Sequence, residues 1–187
     1  MFKNLKISIM LTMLTIIIFG FAYPFFFIAA GLLIPEKSTG SPVYADGRIA
    51  GFENIGQNFT EDKYFNGRPS AVNYDASSTG GSNKGPSNPE YIAEVQLRID
   101  TIIARNPGIK KSDIPSEMVT ASGSGIDPDI SPDAAYVQVK RISDKRGVSE
   151  EELRQIIKKN TEGKYLGIFG EERINLLKLN IELDKLN

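Results

Sequence analysis

A glycine-rich segment with a single lysine is the first candidate for chemistry in this sequence. It reads Gly-Gly-Ser-Asn-Lys-Gly-Pro over residues 80–86. Such loops can bind phosphate, because free backbone N–H groups and an ammonium group both favour an anion. The spacing does not match G-x-x-x-x-G-K-[ST], however, and Pro86 and Pro89 remove N–H donors where a helix should begin. We therefore interpret residues 80–86 as a structural or subunit-docking loop.

Oxygen-bearing side chains at alternate positions form a second candidate, for calcium. They are Asp127, Asp129, Ser131 and Asp133, with the spacing that opens an EF-hand loop. The sixth position, which requires glycine, holds a proline, and the twelfth holds a glutamine instead of a bidentate glutamate. The acidic residues also precede a predicted helix, whose dipole favours negative charge at its N-terminus. We interpret this pattern as helix capping.

The sequence lacks the usual catalytic bases and thiols, since it contains neither histidine nor cysteine. Residues 120–125 read Thr-Ala-Ser-Gly-Ser-Gly, and their hydroxyl groups have no histidine to activate them, so a tight turn is the simpler interpretation. The same absence argues against a zinc or copper site. We predict no catalytic residue and no metal ligand, and therefore a chain that is not an enzyme by itself.

The overall charge is close to neutral, with 22 basic and 23 acidic residues. No cluster of lysine or arginine interleaved with aromatic residues is present. Such clusters are the electrostatic footprint of nucleic-acid binding. We therefore predict no nucleic-acid partner.

One long apolar segment stands apart from the rest of the chain. Residues 7–34 carry no charge, and a helix of that length exceeds the roughly 30 Å thickness of a hydrocarbon core. Lys3 and Lys6 precede it, whereas Glu36 and Lys37 nearly cancel after it. The positive-inside rule then predicts a cytoplasmic N-terminus. Pro24 should kink this helix.

The flanks divide the chain into four predicted parts. Residues 1–6 are cytoplasmic, residues 7–34 form a transmembrane helix, residues 35–42 are a linker, and residues 43–187 form an extracytoplasmic domain of a single-pass plasma-membrane protein. The alternative is a cleaved signal peptide, with Val43-Tyr44-Ala45 as a weak cleavage site. Signal h-regions span about 7–15 residues, which favours a retained anchor here.

The domain combines strand and helix signals. Short apolar runs interrupted by glycine predict a strand hairpin over residues 43–59, and the polar stretch 64–89 is long enough to be functional. Three helices are predicted, with N-caps at Asn88, Ser131 and Ser149. The C-terminal segment 174–186 fits either a strand or a helix, and we favour a strand that ends in a short helical tail. Without a regular βαβ repeat, the fold class is α+β, with one N-terminal transmembrane helix.

Six segments, in this order, resemble the C subunit of the Kdp potassium-transporting ATPase (the KdpC family). They are residues 55–59 (IGQNF), 64–71 (YFNGRPSA), 80–83 (GGSN), 87–89 (SNP), 119–128 (VTASGSGIDP) and 175–180 (NLLKLN). Each segment alone is a weak signal, but their common order is specific. The resemblance covers almost the whole chain.

The resemblance implies a non-catalytic accessory subunit of a high-affinity, ATP-driven potassium uptake complex, needed for assembly of that complex. The implied partners are a channel-like potassium-binding subunit, a P-type ATPase catalytic subunit, a small single-span subunit and the lipid bilayer. It also implies a catalytic chaperone that raises the affinity of the ATPase subunit for ATP. ATP and potassium would be handled by the complex, so we expect no cofactor bound to this chain itself.

The docking surface is predicted to lie in the polar stretch. The candidate docking residues are Tyr64, Phe65, Arg68, Pro69, Ser82 and Asn83. Arg68 can either anchor a carboxylate of a partner or lie in solvent. The family's proposed nucleotide-contact loop corresponds to residues 160–164, which lack the expected glutamine, so we assign no nucleotide-binding residue. Direct nucleotide binding, and an independent membrane-anchored or secreted binding protein, are the alternative functions.

Overall fold

The structure, a computed structural model, describes residues 2–186, apart from the side chain of Glu36. The chain divides into two compact units, Met1–Pro42 and Val43–Asn187. Each is described separately below.

The first unit is a long apolar helix followed by a short helical turn. Its elements are α1 (Phe2–Thr15), a π-helical segment (Ile16–Ala22), α2 (Tyr23–Leu33) and α3 (Pro35–Ser38). Among residues 2–186, Phe2–Leu33 is the one helical stretch long and apolar enough to cross a membrane, with a mean hydropathy of 2.3. None of its most apolar window is buried, unlike the core helix of a soluble protein.

A π-helical segment, Ile16–Ala22, lies just before Pro24, the residue at which we predicted a kink. Pro24 has no N–H, so the carbonyl four residues earlier receives no helical hydrogen bond from it. The N–H of Tyr23 instead donates to the carbonyl of Ile18, five residues back. This wider turn accommodates the proline ring within a helix that continues to Leu33.

The second unit contains the three helices that the sequence predicted. They are α4 (Pro89–Arg105), α5 (Pro132–Arg146) and α6 (Glu150–Asn160). The side chains of Asn88 and Ser131 accept hydrogen bonds from first-turn N–H groups, as predicted for N-caps. Ser149 and Glu152 form a reciprocal capping box at α6. These local signals therefore confirm all three predicted helix starts.

The predicted hairpin is present but shorter than expected. It pairs β1 (Pro42–Ala45) with β2 (Arg48–Phe52). The two connecting residues, Asp46 and Gly47, have φ angles of 49° and 75°, as a type I′ turn requires. Residues 53–59, which we also assigned to the hairpin, form turns and irregular structure.

A second, three-stranded sheet joins distant parts of the domain. It consists of β3 (Asp129–Ile130), β4 (Thr161–Glu162) and β5 (Arg173–Asn175). The central strand is β5, which pairs antiparallel with both neighbours, so that Ile174 lies opposite Ile130 on one side and Thr161 on the other.

The C-terminal segment is a strand followed by a helix, as we favoured, but the strand is much shorter and the helix longer than we expected. After β5 the chain forms α7 (Leu176–Asp184), capped by the side chain of Asn175, which accepts a hydrogen bond from the N–H of Lys178. The alternation of leucines that suggested a strand is coincidental, because Asn180 is also buried, one helical turn after Leu176. A strand would have placed that asparagine on the polar face.

The hydrophobic core lies among α5, α6, α7 and the central strand β5. Its fully buried members include Ala135, Ile142, Leu153, Ile157, Ile174, Leu179 and Leu183. Phe65, from the long polar stretch, is also part of this core with no exposed surface. The polar stretch is therefore anchored in the domain interior.

Close backbone contact joins the segment after β2 to the loop before β3. The N–H of Gly56 donates to the carbonyl of Ile126 at 2.8 Å. A Cβ atom on Gly56 would lie 2.3 Å from the carbonyl oxygen of Asp127. Only glycine fits there, because a backbone oxygen cannot swing aside as a flexible side chain can.

The substitution Gly56→Ala should therefore destabilise the domain, by about 1–3 kcal/mol, as expected for overpacking. The measurement is chemical unfolding of the detergent-solubilised full chain, followed by circular dichroism. Gly163→Ala is the matched control, since a Cβ atom at Gly163 would meet nothing within 4 Å. Equal unfolding midpoints for the two variants would contradict the close contact.

Candidate functional site

The predicted docking residues begin in residues 62–66, a turn followed by irregular chain, which contacts α5 and α7 without a neighbouring strand. Side chains of those two helices bond its backbone instead. All five carbonyl groups of the segment accept hydrogen bonds: Asp62 and Tyr64 from Arg141, Lys63 from Arg146, Phe65 from Asn180, and Asn66 from Gln138. The helices therefore provide the hydrogen bonds that a sheet neighbour would normally provide.

Two amide side chains complete the pairing in both directions. Asn180 accepts from the N–H of Phe65 at 2.9 Å and donates to its carbonyl at 3.0 Å. Gln138 does the same for Asn66, at 2.8 Å and 3.0 Å. Both amides are buried, and an amide has both donors and an acceptor, so each can pair with a residue as a neighbouring strand would.

A buried arginine lies under the same segment. Besides the two carbonyls, the guanidinium of Arg141 donates to the side chains of Asn106 at 3.0 Å and Gln138 at 2.6 Å. Burial and, to a smaller extent, the positive charge of nearby Arg105 together lower the pKa of Arg141 to about 10. The group is still protonated at neutral pH, with its charge dispersed over neutral oxygen acceptors.

This arrangement removes Phe65 from the candidate docking surface. Its ring has no exposed area, because it fills the core between the helices that bond its backbone. Tyr64 is half-buried: its hydroxyl donates to Asp184, and the guanidinium of Arg146 lies 4.9 Å from its ring centroid. Aromatic residues in the polar stretch therefore indicate anchoring within the chain.

Arg68 has a carboxylate partner within the chain, which is neither of the two roles that we considered. Its guanidinium contacts the carboxylate of Asp127 at 2.9 Å, and both side chains are mostly buried. The backbone carbonyl of Arg68 also accepts a hydrogen bond from the hydroxyl of Tyr74. Burial raises the pKa of Tyr74 to about 12, and the nearby negative charge of Asp127 contributes to the shift.

The remaining docking candidates are Pro69, Ser82 and Asn83. They lie in segments of the chain whose backbone contacts the turn at residues 120–125. The carbonyl of Pro69 accepts from the N–H of Ser122 at 3.1 Å, and the N–H of Gly80 donates to the carbonyl of Ser124 at 2.8 Å. Gly125 adopts a φ of 74°, and a Cβ atom there would lie 2.8 Å from the carbonyl oxygen of Gly80. Close backbone approach thus explains the predicted turn. Beyond this contact, Ser82 is half-buried and Asn83 is exposed.

The two motifs first considered for chemistry have internal partners. Lys84 contacts Glu94 of α4 at 3.1 Å, and this hydrogen bond lowers the pKa of the Glu94 carboxyl group. Ser131 caps α5, and Asp127 pairs with Arg68, as described above. Among residues 2–186, no group of three or more His, Cys, Asp or Glu side chains could hold a metal ion.

One exposed feature was missed by the sequence interpretation. Between β4 and β5 the chain forms a narrow turn with four large apolar side chains in solvent: Tyr165, Leu166, Ile168 and Phe169. We call these four residues the apolar tip. The available signal was the apolar run Tyr-Leu-Gly-Ile-Phe, bounded by glycines within an otherwise polar loop. That run has no helical or strand period, so pattern analysis gave it no weight.

Gln138 provides a direct test of the paired segment. In Gln138→Leu, the backbone N–H and carbonyl of Asn66 lose their partners inside the protein, and Arg141 loses one acceptor. We expect a loss of about 2–4 kcal/mol in unfolding free energy, measured by chemical denaturation of the full chain. The matched control is Gln155→Leu, on the exposed face of α6, which should change stability by less than about 0.5 kcal/mol.

Tyr74 should make stability depend on alkaline pH. Its pKa in the folded state is about 12, above the ordinary value of 10.0, so the folded state retains a proton that the unfolded state has lost. Stability is therefore fully present below pH 10 and falls as the pH rises through 12. Tyr74→Phe should cost about 1 kcal/mol at neutral pH and remove this alkaline loss. The measurement is the unfolding free energy of both proteins, determined side by side across that pH range.

Comparison with known proteins agrees with the resemblance. The family model described as "KdpC: K+-transporting ATPase, c chain" matches residues 5–185. Three relatives, each named potassium-transporting ATPase KdpC subunit, illustrate the similarity. The protein of Caldanaerobacter subterraneus subsp. tengcongensis is 47% identical over 182 residues, covering 97% of this chain and 94% of the relative. That of Bacteroides fragilis is 48% identical over 187 residues, covering 98% of each. That of Flavobacterium johnsoniae is 46% identical over 186 residues, covering 98% and 99%.

The match includes both structural units. It begins within α1 and ends just after α7, so the apolar helix and the mixed domain both belong to the matched region. Nearly complete coverage in both directions excludes a likeness confined to one motif. The chain therefore belongs to the family of KdpC subunits, the c chains of K⁺-transporting ATPases.

Proposed function

We propose that this chain is a non-catalytic accessory subunit of a potassium-transporting P-type ATPase complex, needed for the assembly and stability of that complex. The family match over residues 5–185 is the observation that carries the proposal. The chemistry of the domain supports it, because the conspicuous charged and aromatic groups of the polar stretch are engaged within the chain in holding its fold. Its partners would be a channel-like potassium-binding subunit, the ATPase subunit and a small single-span subunit.

The proposal places the apolar helix in the plasma membrane, with the mixed domain outside the cytoplasm. Lys3 and Lys6 are the charges at the N-terminal end of the helix, whereas Glu36 and Lys37 offset each other beyond its C-terminal end. This asymmetry favours a cytoplasmic N-terminus. The paired loops favour a domain that keeps its shape as it meets the other subunits.

The resemblance also implies that the subunit raises the affinity of the ATPase subunit for ATP. With the domain outside the cytoplasm, it would act through the packing of the subunits against one another and make no contact with the nucleotide. Residues 160–164 begin at the end of α6 and continue through β4, and we assign no nucleotide ligand among them. Direct nucleotide binding would require the opposite sidedness.

The absence of cysteine from the natural sequence permits a clean test of this arrangement. Single-cysteine variants Asn4→Cys and Lys158→Cys lie at exposed positions, one near each end of the chain. In intact cells, a membrane-impermeant maleimide should label Lys158→Cys and should leave Asn4→Cys unlabelled until the membrane is opened. The same preparations, solubilised in mild detergent, should yield the chain together with the transporter subunits.

The two readouts separate the alternatives. Labelling of Asn4→Cys instead of Lys158→Cys would reverse the orientation and favour the direct nucleotide role. Correct labelling without co-purified transporter subunits would favour an independent membrane-anchored binding protein. Loss of the N-terminal segment from mature chain, read by intact mass, would identify a cleaved signal peptide.

A further inference from the structure

The apolar tip exposes more hydrophobic surface than the fold requires. Tyr165, Leu166 and Ile168 are 75%, 74% and 72% exposed, and Phe169 is 59% exposed. Each of these side chains would gain free energy on removal from water. A contiguous group of four, at the end of a turn in a small domain, is typical of an interaction site.

The backbone conformation of the tip is also unfavourable. Leu166 and Gly167 have φ angles of 52° and 77°, in the left-handed region. Glycine and asparagine adopt this conformation readily, whereas a leucine there is strained. The position thus holds a residue that is unfavourable both for the backbone and for exposure to water. Strain of this kind at an exposed loop motivates a functional explanation.

The tip is held firmly by the sheet below it. Tyr165 and Phe169 exchange two backbone hydrogen bonds, of 2.8 Å and 2.9 Å. Below them β4 pairs with β5, and Arg173 bonds Glu162 across that pair at 3.1 Å. Ile174, in the same strand, is fully buried in the core. These hydrogen bonds order the backbone of the tip, and an ordered backbone loses less entropy on binding.

From these observations we propose that the apolar tip inserts into an apolar pocket on another protein subunit whose rim carries lysine or arginine residues. The inference rests on the proposed function, in that such a subunit would belong to the same transport complex. The anchoring aromatics of a protein interface usually enter pockets of this kind, surrounded by a polar rim.

The surface beside the tip supplies the charge that identifies this partner. A groove of about 560 Å³ begins at the base of the turn and shares residues 164 and 171–173 with it. Its charged lining consists of the acidic residues Glu117, Asp127, Asp129, Asp133, Glu171 and Glu172 and the basic residues Lys164 and Arg173. Asp127 is paired with Arg68 and Asp129 contacts Arg173, yet the remaining carboxylates still outnumber the basic groups, and this excess is complementary to a basic rim.

The same charge argues against insertion into a lipid surface. Segments that bind anionic bilayers carry clusters of lysine and arginine. The carboxylates beside the tip would instead be repelled. A protein pocket therefore fits both the apolar and the charged part of this surface, whereas an anionic bilayer fits only the first.

The first test compares retention of variants in the detergent-purified complex. Leu166→Asn/Ile168→Asn removes two exposed apolar side chains, and asparagine tolerates the left-handed backbone at position 166. The variant should fold at least as stably as the wild type, yet its retention, in competition with tagged wild-type chain, should fall about tenfold or more. The double variant Leu97→Asn/Ile92→Asn, on the exposed surface of α4, is the matched control and should be retained like wild type.

Equal retention of the tip variant and the wild type would overturn the inference, as would an equal loss in the α4 control. Either result would leave the proposed function intact provided that wild-type chain co-purifies with the transporter. Failure of wild-type co-purification would overturn the proposed function itself. The two failures are therefore distinguishable in one preparation.

The second test separates a protein pocket from a lipid surface. In Ile168→Cys, the small apolar thiol reports access of a maleimide to the tip. We expect rapid labelling when the chain alone is reconstituted in vesicles of phosphatidylethanolamine and phosphatidylglycerol, and labelling slowed tenfold or more in the assembled complex. Lys158→Cys should be labelled rapidly in both. Protection in the vesicles without the other subunits, or rapid labelling in both states, would overturn the inference.

Discussion

The backbone of residues 62–66 contacts α5 and α7 with no neighbouring strand, and all five of its carbonyls accept hydrogen bonds from side chains of those helices. Buried peptide groups that lack partners cost free energy comparable to a lost hydrogen bond. Arg141, Arg146, Gln138 and Asn180 provide these hydrogen bonds from α5 and α7. Phe65 can then enter the core, and the chain that follows it is positioned for the pairing of Arg68 with Asp127. The positions of these loops therefore depend on the hydrogen bonds made by the backbone of residues 62–66.

Local signals predicted the helices well, because a cap is a contact between residues three or four apart. Asn88, Ser131 and Ser149 cap their helices in the structure for the reasons that their positions suggested. Our prediction for residues 174–186 gave too much strand and too little helix, for a related reason. Leucines at every second position satisfy a strand pattern, and the decisive residue, Asn180, becomes informative only when its partner Phe65, 115 positions away, is known. Long-range pairing of polar side chains has no sequence period.

The candidate site shows a second limit of sequence interpretation. Tyr64, Phe65 and Arg68 were interpreted as docking residues because they lie in a long polar stretch, a feature that is often functional. In the structure their partners are Asp184, Asn180 and Asp127 of the same chain. The apolar tip, which does lie in solvent, was overlooked because its sequence lacks charge and period. Composition identifies residues that can bind, but only the fold decides whether they bind within the chain or beyond it.

Near-neutral composition likewise conceals how charge is distributed on the domain. The chain has 22 basic and 23 acidic residues, yet several basic groups are directed inward or paired beside the segment 62–66. Arg141 donates to neutral oxygen acceptors, and Arg146 donates to the carbonyl of Lys63 and the carboxylate of Asp184, while acidic side chains such as Asp133 and Glu172 line an open groove. The arginine residues that hold the loops together are thus not available to neutralise the carboxylates that line the groove. Because the charge of Arg141 is buried among neutral acceptors, it does not offset the carboxylates on the face beside the apolar tip.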